Sequence, residues 1–184
     1  MQVFPIDLIE KCKKADRKAQ RSLFEFYYDH MYNICLRYVK EETQAEDMLS
    51  QGFTKVFKNI SSFKQDKDYG LRAWIKKIMV NECLMWLRKN NNFNLVPLTE
   101  AEDIISEKVS LVDLDSSFIL RSIAELPDGY RTVLNLNVIE GYSHQEIGKM
   151  LNIKEATSRS QLNKAKQILK QKLAHYKLSN YGKR

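Results

Sequence analysis

Tyr142-Ser143-His144-Gln145-Glu146-Ile147-Gly148-Lys149-Met150-Leu151-Asn152-Ile153 reads as a short helix with a defined start, followed by a three-residue break. Ser143 and Glu146 fit a capping box: the serine oxygen accepts from the backbone N–H of Glu146, and the glutamate accepts in return from the N–H of Ser143. Ile147, Met150 and Leu151 recur at i, i+3 and i+4, which gives this helix one apolar face. A second, longer helical pattern runs from about Glu155 toward Ala174. Two helices joined by so tight a turn must cross steeply, and that is helix-turn-helix geometry.

The second helix is two-sided. At about 100° per residue, Ala156, Arg159, Ser160, Asn163, Lys164 and Gln167 fall on one side, while Ser158, Leu162, Ala165 and Leu169 fall on the other. A recognition helix needs this division, because slim donors must reach base edges in the major groove while the opposite face packs on its partner. A surface helix with solvated charges is the plainer alternative.

Charge agrees with a nucleic-acid partner. The chain of 184 residues carries 30 Lys and Arg against 23 Asp and Glu, a net of +7, and such a surplus attracts phosphate irrespective of sequence. From Asn90 to Ser117, however, the acids Glu100, Glu102, Asp103, Glu107, Asp113 and Asp115 face only Lys108; this stretch is −5 and the remainder +12. It opens with Asn90-Asn91-Asn92, contains Pro97 and has no sustained helical period. A loop this long inside one compact domain is unusual, so two small domains are expected, 1–92 and 117–184, with 93–116 as an acidic linker.

The rest reads as helix, and the predicted fold is all-α. Asp16 caps a helix running to about Val39, with Leu23, Phe24, Tyr27, Met31, Ile34, Cys35 and Tyr38 at helical spacing. Thr43-Gln44-Ala45-Glu46 reads as a second capping box, opening a helix through Phe53, Val56 and Phe57. Past a break at Gly70, Trp74, Ile78, Cys83, Leu84 and Leu87 outline another. Phe118 to Leu126 and Tyr130 to Glu140 are expected as helices separated by Leu126-Pro127-Asp128-Gly129.

Nothing in the sequence has the look of catalysis. No phosphate-binding glycine loop or nucleophile motif is present, and no cofactor or metal is expected. Cys12, Cys35 and Cys83 lack metal-ligand spacing and read as buried reduced thiols; His30, His144 and His175 read as surface histidines. With no apolar h-region at the N-terminus and no apolar run near bilayer length, a cytoplasmic protein is expected.

Three further stretches carry a family resemblance. Ala45-Glu46-Asp47-Met48-Leu49-Ser50-Gln51-Gly52-Phe53-Thr54-Lys55-Val56-Phe57, then Ser62-Phe63, then Arg72-Ala73-Trp74-Ile75-Lys76-Lys77-Ile78-Met79-Val80-Asn81 resemble region 2 of the sigma-70 family, in the short form of the extracytoplasmic-function (ECF) sigma factors. Leu126-Pro127 with Tyr130-Arg131-Val133-Leu134, followed by the helix-turn-helix, resembles region 4. The resemblance implies a factor that directs bacterial core RNA polymerase to promoters, region 2 capturing the −10 element and region 4 the −35 element. It implies −10 contacts from Asn59, Phe63, Lys64, Trp74, Lys77 and Asn81, and places Arg159, Ser160, Asn163, Lys164 and Gln167 at the −35 groove. Phe63 and Trp74 read equally well as core aromatics. Stacking on an aromatic is worth about 1–3 kcal/mol per base, comparable with the cost of unstacking, so aromatics beside cations suit the capture of opened bases.

The helix around Ala45-Glu46-Asp47 corresponds to the family's polymerase-binding helix, which implies contacts from Asp47, Leu49 and Gln51. Ser50 and Gln51 depart from the glutamine and glutamate of many relatives, and Asn152 and Ala156 each replace a glycine. Asn tolerates the left-handed conformation that the turn requires. The acidic linker either mimics nucleic acid in a basic channel of the polymerase or acts as a solvated spacer. An anti-sigma factor is implied as a further partner, and the free chain is expected to be a monomer. The competing readings are a two-domain helix-turn-helix regulator acting without polymerase, which leaves the region 2 resemblance unexplained, and an enzyme such as a recombinase, for which no catalytic domain is visible.

Overall fold

The structure, a computed structural model, describes residues 4–64, 70–90 and 116–181. These form eight α-helices and no strand among the described residues, so the chain is all-α. It divides into two compact units, Met1–Asn90 and Asn91–Arg184. The expected linker, 93–116, lies outside the described residues except for Ser116, which opens a helix.

The N-terminal unit holds α1 (Ile6–Lys13), α2 (Arg17–Val39), α3 (Glu42–Asn59) and α4 (Gly70–Lys89). Asp16 caps α2 as expected, its carboxylate accepting from the N–H of Ala19 at 2.8 Å. Each of α2, α3 and α4 packs against the other two, and α1 leans on α2. Their shared core contains Leu23, Met31, Ile34 and Cys35 of α2, Met48, Leu49, Phe53 and Val56 of α3, and Ile75, Met79, Cys83 and Leu84 of α4. These residues recur at the three- and four-residue steps that put side chains on one face of a helix. Where α3 meets α4 the backbones come close: a Cβ on Gly52 would lie 2.2 Å from the Met79 sulfur. One carboxylate is carried into this unit, Glu82, which is 5% exposed and accepts from Lys55 Nζ at 2.6 Å.

One boundary of this unit differs from expectation. Thr43 does not cap α3. Lys40 adopts φ 71° and Glu41 is extended, so helical geometry begins at Glu42 and Thr43 falls in the first turn. The start is favoured by Glu41 and Glu42 beside the positive end of the helix dipole, with no side-chain cap. The helix expected past Gly70 begins at that residue itself.

The C-terminal unit holds α5 (Ser116–Ala124), α6 (Asp128–Leu134), α7 (His144–Leu151) and α8 (Glu155–Tyr181). The expected separator before α6 is shorter than the sequence suggested: Pro127 is the N-cap, and Asp128 and Gly129 already belong to the helix. Its end widens into a π turn over Asn135–Ile139. α8 packs against α5, α6 and α7 around Leu126, Val133, Leu136, Ile147, Leu151, Leu162 and Ala165. Arg131, 1% exposed, spans the start of α6, donating to the Leu126 carbonyl at 2.8 Å and to Asp128 at 2.5 Å. Burial lowers its pKa, and Asp128 acts in the opposite sense.

Two stability predictions follow from these contacts. Gly52→Val forces a branched side chain into Met79 and should cost about 1–3 kcal/mol in urea unfolding, as overpacking does. Combined with Met79→Ala, the loss should be smaller than the sum of the two single losses, because the second change removes the obstruction created by the first. Ser143→Ala should cost about 1 kcal/mol through loss of its cap, read as a lower midpoint with an unchanged denaturant slope.

Candidate nucleic-acid interface

α7 and α8 are held by local chemistry at three points. At the start of α7 the capping box is complete: Glu146 N–H donates to Ser143 Oγ at 3.2 Å, and Ser143 N–H donates to Glu146 Oε2 at 2.8 Å. The hydrogen bonds from Ser143 hold the Glu146 carboxyl below its usual range. At the end of α7, Asn152 takes the left-handed conformation with φ 55° and ψ 47°, a region entered mostly by glycine and, among other residues, by Asn, Asp and His. Ile153 N–H then donates back to the Gly148 carbonyl at 3.0 Å. The turn folds so closely onto α7 that a Cβ on Gly148 would lie 2.9 Å from the Ile153 carbonyl oxygen. The third point is a side-chain tie, His144 Nδ1 to Ser158 Oγ at 2.9 Å.

The face division of α8 is as the sequence predicts. Ser158, Leu162 and Ala165 are buried against the rest of the unit, while Ala156, Arg159 and Asn163 are exposed and Ser160, Lys164 and Gln167 partly so. Gln161 is also buried and lies against Gly129. Arg159 leans back to pair with Glu155 on the preceding turn, and both side chains are largely in solvent, at 63% and 45%. An exposed helix pair of this kind is worth about 0.3–0.5 kcal/mol, less than one good bidentate base contact. The pair is therefore weak enough to yield to a stronger contact at the guanidinium.

In the N-terminal unit, α4 brings Trp74, Lys77 and Asn81 onto one face at steps of three and four residues. Lys77 and Asn81 are exposed and Trp74 is half-buried. Phe63 lies beside them with its ring 5.3 Å from Trp74, but it is only 6% exposed; it is a core aromatic supporting Trp74, not a platform open to a base. Asn59 is exposed at the end of α3, its amide donating to the Lys55 carbonyl at 2.8 Å, and Lys64 is exposed just beyond. On α3, Asp47 and Gln51 face solvent. Leu49 does not: at 2% exposure it shares the buried face with Ala45, Met48, Phe53 and Val56 and offers no surface contact. That was legible in its spacing.

Two of the three histidines also depart from expectation. His144 is engaged with Ser158, and His30 is packed against Arg72, whose Nη2 lies 2.8 Å from the imidazole Nε2; His175 is exposed. All three cysteines are buried and unbridged. The residue that sequence reasoning missed is Gly148, whose only signal is that it stands four places before the left-handed Asn152.

Comparison with known proteins matches both units. Residues 23–93 fit the family model of Sigma-70 region 2, and residues 119–169 fit that of Sigma-70, region 4. The ECF RNA polymerase sigma factor SigW of Bacillus subtilis is 29% identical over 178 residues, covering 90% of this chain and 94% of that protein. SigM of the same organism is 24% identical over 159 residues, covering 80% and 91%. Among solved structures, the sigma factor RpoE, in a co-crystal with the anti-sigma factor NepR from Bartonella quintana, aligns over 84% of this chain and 96% of that one, with a TM-score of 0.51 at 17% identity, a likeness of fold. Two matched regions in the family's order, with relatives matched over nearly their full length, establish that this chain belongs to the sigma-70 family as an ECF RNA polymerase sigma factor.

Proposed function

We propose a division of labour for this sigma factor among three surfaces. The exposed face of α3 around Asp47 and Gln51 docks on core RNA polymerase. The face of α4 bearing Trp74, Lys77 and Asn81, with Asn59 and Lys64 nearby, captures the opened −10 element. The face of α8 bearing Arg159, Ser160, Asn163, Lys164 and Gln167 enters the major groove at −35. The observation that carries this reading is the two-sided α8, set on a rigid turn with its polar face outward and its apolar face in the core. An amide such as that of Asn81 offers two donors and an acceptor, which suits a base edge bared by unstacking.

The work is binding, not catalysis, and its setting is the cytoplasm, where polymerase and promoters meet; among the described residues no helix is long and apolar enough to cross a membrane. Family membership adds an anti-sigma factor as a third class of partner. Energy for opening the −10 element comes from capturing bases as they unstack, because a stacking contact and an unstacked step are of similar size.

Two small basic units must be fixed at promoter spacing before they can bind both elements at once. The free chain should therefore bind promoter DNA weakly, and core polymerase should create specific binding by raising the effective concentration of the second contact. Transcription from a genomic promoter library with added core polymerase measures this. Tight promoter binding by the chain alone, unchanged by polymerase, would instead favour a regulator that acts without it.

Arg159→Ala should lower discrimination among −35 variants by about 1–3 kcal/mol, the range for one good base contact. The measurement is holoenzyme affinity across single −35 substitutions, and a uniform loss on every sequence would assign Arg159 to phosphate.

A further inference from the structure

The matched region 4 ends at residue 169, yet α8 continues without interruption to Tyr181. At about 1.5 Å per residue, its 27 residues extend about 40 Å, far more than the ~12 Å width of a major groove. The C-terminal half of this helix must leave any groove that its first turns enter. The charge on it is one-sided in sign: after Glu155, α8 contains no acid, while Arg159, Lys164, Lys166, Lys170, Lys172 and Lys177 supply six positive charges. A solvated helix ordinarily interleaves acids with its bases at i, i+4 spacing, and beyond the Glu155–Arg159 pair this one does not.

Its orientation is fixed by contacts on the other side. Tyr176 stacks on Phe118 of α5 with ring centroids 3.9 Å apart, and Lys172 pairs with Glu125. These anchors lie on the same side as the buried Ser158, Leu162 and Ala165. Placed at helical pitch, Arg159, Asn163, Lys166 and Lys170 share a sector of about 60° on a flank of the helix, about 110° round from that buried side. Lys166 is exposed and Lys170 partly exposed, and they stand roughly 10 Å and 16 Å along the axis from Arg159. The cationic row thus borders the recognition face along one edge, running from Arg159 to Lys170 at the end of the matched region.

We propose that Lys166 and Lys170 form a sequence-independent phosphate clamp, gripping the DNA backbone just outside the −35 element on the side toward which the C-terminal end of α8 points. The proposal rests on α8 reading the −35 groove. Its role is to add affinity, and with it salt sensitivity, without adding base preference, since phosphate contacts position a protein and base contacts specify.

The test uses the full chain assembled with core polymerase on promoter duplexes, recording affinity against salt. Lys166→Gln combined with Lys170→Gln should make the slope of log K against log salt shallower by about 1.8, from two phosphates at about 0.9 each. The affinity loss should be equal on intact and altered −35 sequences, and Lys166→Arg with Lys170→Arg should restore the slope. Cutting the duplex back to the edge of the −35 element on one side should erase the difference between wild type and the Gln variant. Circular dichroism confirms that the variants keep their helix content. An unchanged slope, with Arg159→Ala still relaxing −35 discrimination, overturns the clamp alone. So does a loss that varies with −35 sequence or survives truncation on both sides. If the wild-type chain forms no specific complex with core polymerase, or Arg159→Ala leaves discrimination untouched, the −35 reading fails and the clamp falls with it.

Discussion

The closeness of the α7–α8 turn governs the C-terminal unit. Gly148 lies directly beneath the Ile153 carbonyl, and Asn152 supplies the left-handed step that lets the chain reverse there. A side chain at 148 would lift the turn, and a lifted turn would tilt α8 away from its partners. Every residue on the polar face of α8 inherits its direction from that contact. The tie between His144 and Ser158 secures the other end of α7 to the same helix. Under the proposed reading of α8 this matters, because a base contact tolerates little error in the angle at which a helix is presented.

The N-terminal unit solves a different problem. Its α3 and α4 approach at Gly52, and its interior is almost wholly apolar, with Glu82 the marked exception. Removing the Lys55 partner would strand that carboxylate in the interior, so the pair ties α3 to α4 where they meet. The effect is to fix α4 against α3, so the helix carrying Lys77 and Asn81 and the helix carrying Asp47 and Gln51 move as one body. The two surfaces proposed for polymerase and for the −10 element would therefore be coupled in position through the packing of α3 on α4.

Much of this was legible in the sequence because it is local. Asp16 and Ser143 announced helix starts, apolar spacing announced buried faces, and Asn152 announced a turn. What was not legible depends on backbone conformation and side-chain partners that apolar spacing does not record. Thr43 looked like a cap, but the backbone at Lys40 and Glu41 had already set the start of α3. Ser158 and Arg131 are polar yet buried, and their burial is made tolerable by His144 and by the Leu126 carbonyl and Asp128, which no periodicity reveals. The π turn at Asn135–Ile139 leaves no signature in a pattern of apolar residues. Leu49 and Phe63 differ in kind: the family resemblance suggested a surface role for each, with the core an equal reading for Phe63, and both are buried.

The buried thiols set how the protein meets oxidants. Peroxides and disulfides react with the thiolate, not the thiol. Burial raises the pKa of Cys12, and a hydrogen bond with Cys35 together with burial raises that of Cys83 well above the ordinary value. Few thiolates form, and solvent barely touches the sulfurs. The first rung of cysteine oxidation, the sulfenic acid, is therefore hard to reach in the folded state. For these thiols the helices that cover them must open before an oxidant can reach the sulfur, so their modification would follow local unfolding more closely than the ambient redox balance.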